Sequence, residues 1–213
     1  MSAAEQDCRI VVMAKAPEPG RAKTRLIPLL GAAGAARLAG LLLEHALATA
    51  RAADIGPVTL ACAPEVDHPF FIGCAARHAV DRIPQDAGDL GARMHAVIVR
   101  GCATAAATLV MGSDCPALTA ADLRAAAAHL RNGADVVLAP AEDGGYALIG
   151  MTRPHAALFA DVPWGSDGVL AATRDRIGAL GLRAAELRTV WDVDRPADYE
   201  RLVRSALIAG LGR

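Results

Sequence analysis

The chain has 213 residues and a mass of 21.9 kDa, the size of one large domain, and we read residues 1–213 as a single one. Hydrophobic residues make up 54% and mean hydropathy is +0.30, which excludes global disorder. A net charge of −1 and an aromatic content of 3% argue against a nucleic-acid partner, a membrane surface or a base-stacking platform. The longest apolar runs stop early, at Glu44 and at Asp114, short of the ~20 residues of a membrane span. Residues 1–9 lack the basic-then-apolar layout of a signal peptide. The expectation is a cytoplasmic protein. Five cysteines, none at C-x-x-C spacing, support neither a structural zinc site nor a disulfide framework. Lys15 and Lys23 are the only lysines among 22 basic residues, and both fall in one eleven-residue segment.

Taken in chain order, residues 10–14 form a continuous apolar run suited to a buried central strand. A loop follows, then an apolar-periodic helix over 32–53 and a strand over 58–62. Residues 64–77 read as irregular. A third strand is expected over 79–84, and a helix over 89–101 with Leu90, Met94, Val97 and Ile98 on one face. Residues 108–111 are the next strand. Thr119 and Asp122 resemble a capping box opening a helix to about residue 130. Strands over 135–139 and 146–149 flank Asp143-Gly144-Gly145, a hairpin signal. A helix over 166–180, a strand over 185–190 and a helix over 196–207 complete the chain. The alternation predicts a three-layer α/β fold with a mainly parallel sheet and a mixed edge. Ligands in such sheets gather beyond the carboxyl ends of the strands.

Five segments could carry chemistry. The loop after the first strand holds Lys15, Pro17, Gly20, Arg21, Lys23, Thr24 and Arg25. Its four cations suit phosphate, lysine as a point charge and arginine as a fork, although a solvated basic turn would look the same. It is not a Walker A loop, since Ala22 rather than glycine precedes Lys23-Thr24. Asp114 in Gly112-Ser113-Asp114-Cys115-Pro116 sits just past an apolar strand, where a carboxylate can share a hard divalent cation with phosphates. Asp192 and Asp194 follow the last strand, though both could simply charge the start of the last helix. Gln85, Gly88 and Arg93 lie in a polar loop before a helix, where Gln85 could read a base edge and Arg93 reach phosphate. Asp143, Gly145, Tyr146 and Trp164 could rim an acceptor entrance or be a plain turn and a core indole. The six histidines form no metal pattern, and there is no G-x-S-x-G elbow.

The order K-A-P-x-P-G-x-x-K-T-R-L, Q-x-x-G-x-L-G-x-R-M, G-S-D-C-P, D-G-G-Y-x-L-I-G, P-W, D-V-D-x-P-x-D, spread over residues 10–207, resembles the DUF2064 proteins, also named as glycosyltransferases associated with arsenosugar biosynthesis. The resemblance implies a Rossmann-like, GT-A-type nucleotide-diphospho-sugar transferase fold, with kinship to nucleotidyltransferases. By position it places Lys15, Gly20, Lys23, Thr24 and Arg25 on the nucleotide phosphates and Gln85, Gly88 and Arg93 on the base side. Asp114 becomes the strand-end metal aspartate and Asp194 a second metal contact, with Mg²⁺ or Mn²⁺ as cofactor. Arg195 stands where the family usually has threonine, and Gly165-Ser166-Asp167 departs from the usual Ser-Thr after Pro-Trp.

The function expected is a metal-dependent transfer from a nucleotide-activated donor, glycosyl transfer to a small acceptor first. Asp114, Lys23 and Arg25 would be catalytic, Asp114, Asp194 and Asp192 metal-facing. Asp114 lacks the preceding acid of a D-x-D pair, which keeps a second reading open: a guanylyl- or cytidylyltransferase joining a nucleoside triphosphate to a phosphorylated or acidic acceptor. A non-catalytic nucleotide-binding module is the third.

Overall fold

The computed structural model describes residues 8–208; the first seven residues of the stretch read as lacking a signal peptide lie outside it. Seven strands form one sheet in the order β3-β2-β1-β4-β6-β5-β7. They are β1 (Cys8–Lys15), β2 (Val58–Ala63), β3 (Asp81–Pro84), β4 (Ala107–Gly112), β5 (Val136–Pro140), β6 (Tyr146–Met151) and β7 (Ala184–Glu186). Only β6 runs against its neighbours, pairing antiparallel with both β4 and β5. The fold class is as read, and within the mixed side of the sheet the reversed strand lies between two parallel ones.

Period-2 alternation divides the core between the two faces of the sheet. Ile10, Val12 and Ala14 of β1 pack with α1 (Ile27–Ala53), α2 (Pro69–His78) and α4 (Ala120–Arg131). Val11 and Met13 point the other way, toward α3 (Leu90–Cys102) and α5 (Val169–Ala179). A third cluster joins Leu26, Leu38 and Leu42 to Trp191, Val193 and Leu202, the last on α6 (Pro196–Ser205). Fully burying each large aliphatic side chain contributes roughly 1.5–3 kcal/mol, so these three clusters dominate stability.

Helix α1 is broken at Gly31, whose φ of 70° and ψ of 166° are non-helical, and the continuous helix beyond it matches the periodicity read for 32–53. Residues 24–53 are long and apolar enough, by length and composition, to cross a membrane, contrary to the expectation that no segment approaches that length. Their packing accounts for this: Leu42, Leu43, Leu47 and Ala50 are buried against sheet and helices.

Other differences have local causes. The stretch read as irregular contains α2, capped by His68, whose Nδ1 accepts from Phe70 N at 3.2 Å, with Pro69 in the first turn. A histidine cap carries none of the usual Ser/Thr/Asp signal. The helix read from 166 starts at Val169, because Ser166 forms a turn instead, donating to Pro163 O and accepting from Gly168 N. Strand β7 is three residues long, and only a single bridge, Ala141 to Val190, continues it. The capping box of α4 is present: Thr119 Oγ1 accepts from Asp122 N, and Asp122 Oδ2 accepts from Thr119 N.

Glu44 on α1 locks α2 in place through Arg77, His78 and Cys74. Burial alone would raise its pKa, but the hydrogen bonds from Arg77, His78 and Cys74 outweigh that and lower it from 4.5 to about 2. A depressed carboxylate stabilises fully above its unfolded value and loses that contribution as pH falls toward the folded one. Denaturant unfolding of the native protein should therefore show stability falling between pH 4.5 and about pH 2. Glu44→Gln should lower stability at pH 7 by about 1–3 kcal/mol and flatten the profile in that window. An unchanged acid limb in the variant would refute the assignment.

Candidate functional site

Six strands end at one edge of the sheet and β6 begins there. A cleft opens along this edge in two contiguous cavities of about 800 and 790 Å³, with Arg25, Asp114, Tyr146, Trp164 and Asp194 lining both.

The first cavity is the basic half. Lys15, Arg21, Lys23, Thr24, Arg25 and Arg93 line it. Pro17, Gly20 and Gly88 do not; Gly20 at φ 81° and Gly88 at φ 111° shape the loops behind it, a backbone region that glycine enters without steric cost. Lys23 is the informative residue. Its backbone is left-handed, φ 48° and ψ 46°, at a cost on the order of 1–3 kcal/mol for a non-glycine residue. Its side chain is 6% exposed, and Nζ lies 2.8 Å from Asp114 Oδ2. Arg25 pairs likewise with Asp194. Gln85 lines this half too, but its Nε2 donates to Ala14 O at 3.0 Å and Ala61 O at 2.9 Å, while Arg93 Nη1 approaches its Oε1 at 3.4 Å. The amide donors expected to read a base edge are therefore taken by main-chain carbonyls.

Asp114 follows β4 directly, and Ser113 Oγ donates to its Oδ1 at 3.3 Å. The Asp192–Asp194 segment is fastened beside it: Val193 N donates to Asp114 O at 2.9 Å, and the Cys115 thiol donates to Trp191 O at 2.9 Å. Although Arg195 offers no hydroxyl cap, Asp198 accepts from both Asp194 N and Arg195 N, so the helix start is closed from its first turn instead. Asp194 thus faces both cavities, and Asp192 lines only the second.

The second cavity is the acidic half. Asp143, Gly145, Tyr146 and Trp164 all line it. Asp143 Oδ1 accepts from Gly145 N at 2.9 Å. Burial first, then the neighbouring charge of Asp143, pushes Asp192 up from 3.8 to about 6. The Trp164 ring meets Tyr146 edge-on at 6.5 Å and stacks on Phe159 at 6.4 Å. Burial also raises the Tyr146 hydroxyl pKa, so it stays protonated. Cysteine nucleophiles are not part of this site: burial pushes the thiols of Cys62, Cys74 and Cys115 up to about 12, and nucleophilicity needs thiolate.

Two glycines shape the cleft in ways that the sequence did not disclose. Gly91 lies so close to the Trp164 indole that a Cβ would sit 2.6 Å from it, and a Cβ on Gly144 would lie 2.2 Å from Asp167 O. Gly144 O also accepts from Leu170 N at 2.8 Å. The repeated glycines in the Gln85–Met94 and Asp143–Tyr146 segments were the available signal, visible as glycine but silent about the partner.

Among the described residues no group of three or more His, Cys, Asp or Glu side chains forms a ready-made metal cage. Two carboxylates facing lysine and arginine side chains are nevertheless a donor set of the kind Mg²⁺ uses, because it keeps waters and takes further oxygens from substrate phosphates. The residues fit a substrate-borne cation.

A family model described as "uncharacterized protein conserved in bacteria", DUF2064, matches residues 46–166. The chain belongs to the DUF2064 family. The matched part of this DUF2064 protein contains Gln85, Arg93, Asp114, Asp143, Tyr146 and Trp164, but neither the basic loop nor Asp194. A protein of Desulfovibrio desulfuricans G20, provisionally described as a nucleotide-diphospho-sugar transferase, aligns at 27% identity and TM-score 0.85 over 94% of this chain and 87% of its own. A nucleotidyl transferase from Methanothermobacter shares the fold at 17% identity and TM-score 0.60, covering 94% and 97% of the two chains. A cytidylyltransferase from Leptospira borgpetersenii does so at 14% identity and TM-score 0.61, covering 92% and 85%. No curated protein matches the sequence.

The Gly144 contact generates a test. Gly144→Ala adds a Cβ against Asp167 O at φ 86° and should displace the 165–168 loop. Limited proteolysis should cut that loop faster, with a loss of about 1–3 kcal/mol in unfolding free energy. A variant as stable and protease-resistant as the parent would remove the close-approach argument.

Proposed function

We propose that this DUF2064 protein is a nucleotide-utilising transferase, and that it moves a glycosyl group from a nucleotide-diphospho-sugar to a small acceptor. The observation that carries the reading is the convergence of Lys23 and Arg25 with Asp114 and Asp194 in one cleft at the carboxyl ends of parallel strands. Similarity to the Desulfovibrio protein over nearly the whole chain supports it.

In this reading the acceptor oxygen attacks the anomeric carbon, the bond from that carbon to the terminal phosphate oxygen breaks, and the electron pair leaves with the nucleoside diphosphate. The acceptor proton passes to solvent or a carboxylate. Charge grows on the leaving phosphate, and donors fixed in advance lower that barrier most. Lys15, Lys23 and Arg25 hold the phosphate oxygens, with Arg93 at the base side. Asp114 and Asp194 would hold Mg²⁺ or Mn²⁺, whose chemistry would be to neutralise diphosphate charge. Asp192 is the third carboxylate of that neighbourhood. Five cations line the basic half, more than a diphosphate requires. That observation favours a second reading, in which a nucleoside triphosphate is the donor and pyrophosphate the product. We place the reaction in the cytoplasm.

Incubation with nucleotide sugars and, separately, nucleoside triphosphates should release nucleoside diphosphate from the former. Pyrophosphate release instead would select the second reading. Asp114→Asn should cost about 10²-fold or more in turnover, with stability falling by no more than about 1–2 kcal/mol. Lys23→Met should weaken nucleotide binding by about tenfold or more. Full activity in Asp114→Asn would end the assignment.

A further inference from the structure

The two halves of the cleft carry opposite charge. Lys15, Arg21, Lys23, Arg25 and Arg93 face the first cavity, whereas Asp143, Asp167, Asp192 and Asp198 face only the second. Pairing sharpens the contrast. Glu142 is held by Arg201 in a two-pronged contact, Asp114 by Lys23, and Asp194 by Arg25. Asp198 accepts from two backbone amides. Asp143, Asp167 and Asp192 remain without an ion pair among the described residues. Against them the second cavity sets Arg25, already committed to Asp194, and the exposed Arg195 at its rim.

We infer that the second cavity selects an acceptor that presents hydroxyl groups and carries no anionic group. This rests on the proposed transferase function and assigns the substrate class at its acceptor end. Carboxylates accept hydrogen bonds from hydroxyls but cannot bond to phosphate or carboxylate oxygens without an added proton or cation. Low-dielectric walls focus the field of unpaired charges, so an anion meets repulsion along the whole approach. The same cavity supplies aromatic surface: Trp164 and Tyr146 line it, offering faces for the C–H surfaces of a polyol between its hydroxyls. A phosphorylated acceptor would find its complement only in the basic half, where the donor phosphates sit. The acidic half therefore favours sugar-like acceptors over the phosphorylated or acidic ones of the nucleotidyl-transfer reading.

Of the two tryptophans, Trp191 lines only the acidic half whereas Trp164 lines both, which makes the field of the acidic half directly measurable. Quenching of tryptophan emission by iodide, acrylamide and caesium should be compared in the whole protein and in Trp164→Phe, which leaves Trp191 as sole reporter. Relative to free N-acetyltryptophanamide, caesium should quench at least about fivefold more effectively than iodide at low salt. Asp143→Asn with Asp167→Asn should close most of that gap, as should 0.5 M salt, by screening, at about 4–5 Å Debye length. Equal iodide and caesium quenching would overturn the inference. In turnover with matched acceptors, glycerol against glycerol 3-phosphate and glucose against glucose 6-phosphate, the phosphorylated member should have kcat/KM lower by about tenfold or more. A phosphorylated acceptor used as well as its neutral partner would also overturn it. Failure of the underlying reading looks different: no nucleotide would bind the basic half, whatever the quenching shows.

Discussion

The site depends on a junction between two distant segments, fastened by two hydrogen bonds. Val193 N to Asp114 O and the Cys115 thiol to Trp191 O tie the segment before the last helix to the turn after β4. They hold Asp194 at the mouth of β4. The thiol can serve as a standing donor because burial keeps it protonated. Apolar packing backs the same junction, since Trp191 and Val193 are buried among Leu26, Leu38, Leu42 and Leu202. Backbone and core together therefore place the second acid, and its own side chain need only reach the cleft.

The reversed strand matters for the same geometry. With β6 running against β4 and β5, the hairpin loop between β5 and β6 projects from the edge where the parallel strands end. Tyr146 starts its strand at that edge, and Asp143 and Gly145 stand above it. A parallel β6 would have needed a crossover of a dozen or more residues and would have begun at the opposite end of the sheet, taking Tyr146 away from the cleft. The hairpin in turn carries the 165–168 loop, through the Gly144–Asp167 approach and the Leu170 N to Gly144 O bond. Trp164 is held from the other side by Gly91 on α3. Three elements from different parts of the chain thus fix one indole between the two halves.

Sequence periodicity was sufficient for most of the sheet and for α1, α3, α4 and α6, because their apolar positions repeat at 2 or near 3.6 and their ends carry recognisable signals. It failed for α2, whose histidine cap and neighbouring prolines look like loop. The site was legible as a set of segments: the basic loop, Asp114 and Asp194 could each be named as candidates because their charges suit phosphate and a hard cation and they follow strands, where ligands gather in such sheets. Their pairing was not legible, since nothing in a one-dimensional pattern says that Lys23 meets Asp114 or that Arg25 meets Asp194. Nor could it show that the Gln85 amide donors are taken by Ala14 and Ala61 carbonyls. Those contacts depend on register between distant strands. The steric roles of Gly91 and Gly144 were hidden for the same reason.

The scarcity of lysine acquires a physical reading in this frame. Arginine makes the two-pronged surface pairs, Arg174 with Glu186, Arg188 with Asp122 and Arg201 with Glu142, where a planar fork matches a carboxylate. Both lysines instead line the basic half of the cleft. At Lys23 the side chain is almost wholly covered while its partner Asp114 is 52% exposed. A compact ammonium can bond one carboxylate oxygen there and turn to a phosphate oxygen without rearranging a fork. An arginine in that covered position would have to bury five donors in fixed directions, and those left unpaired would carry a desolvation cost. The pair is consequently asymmetric: the cation is held in place by packing, and the carboxylate stands open to whatever enters the cleft.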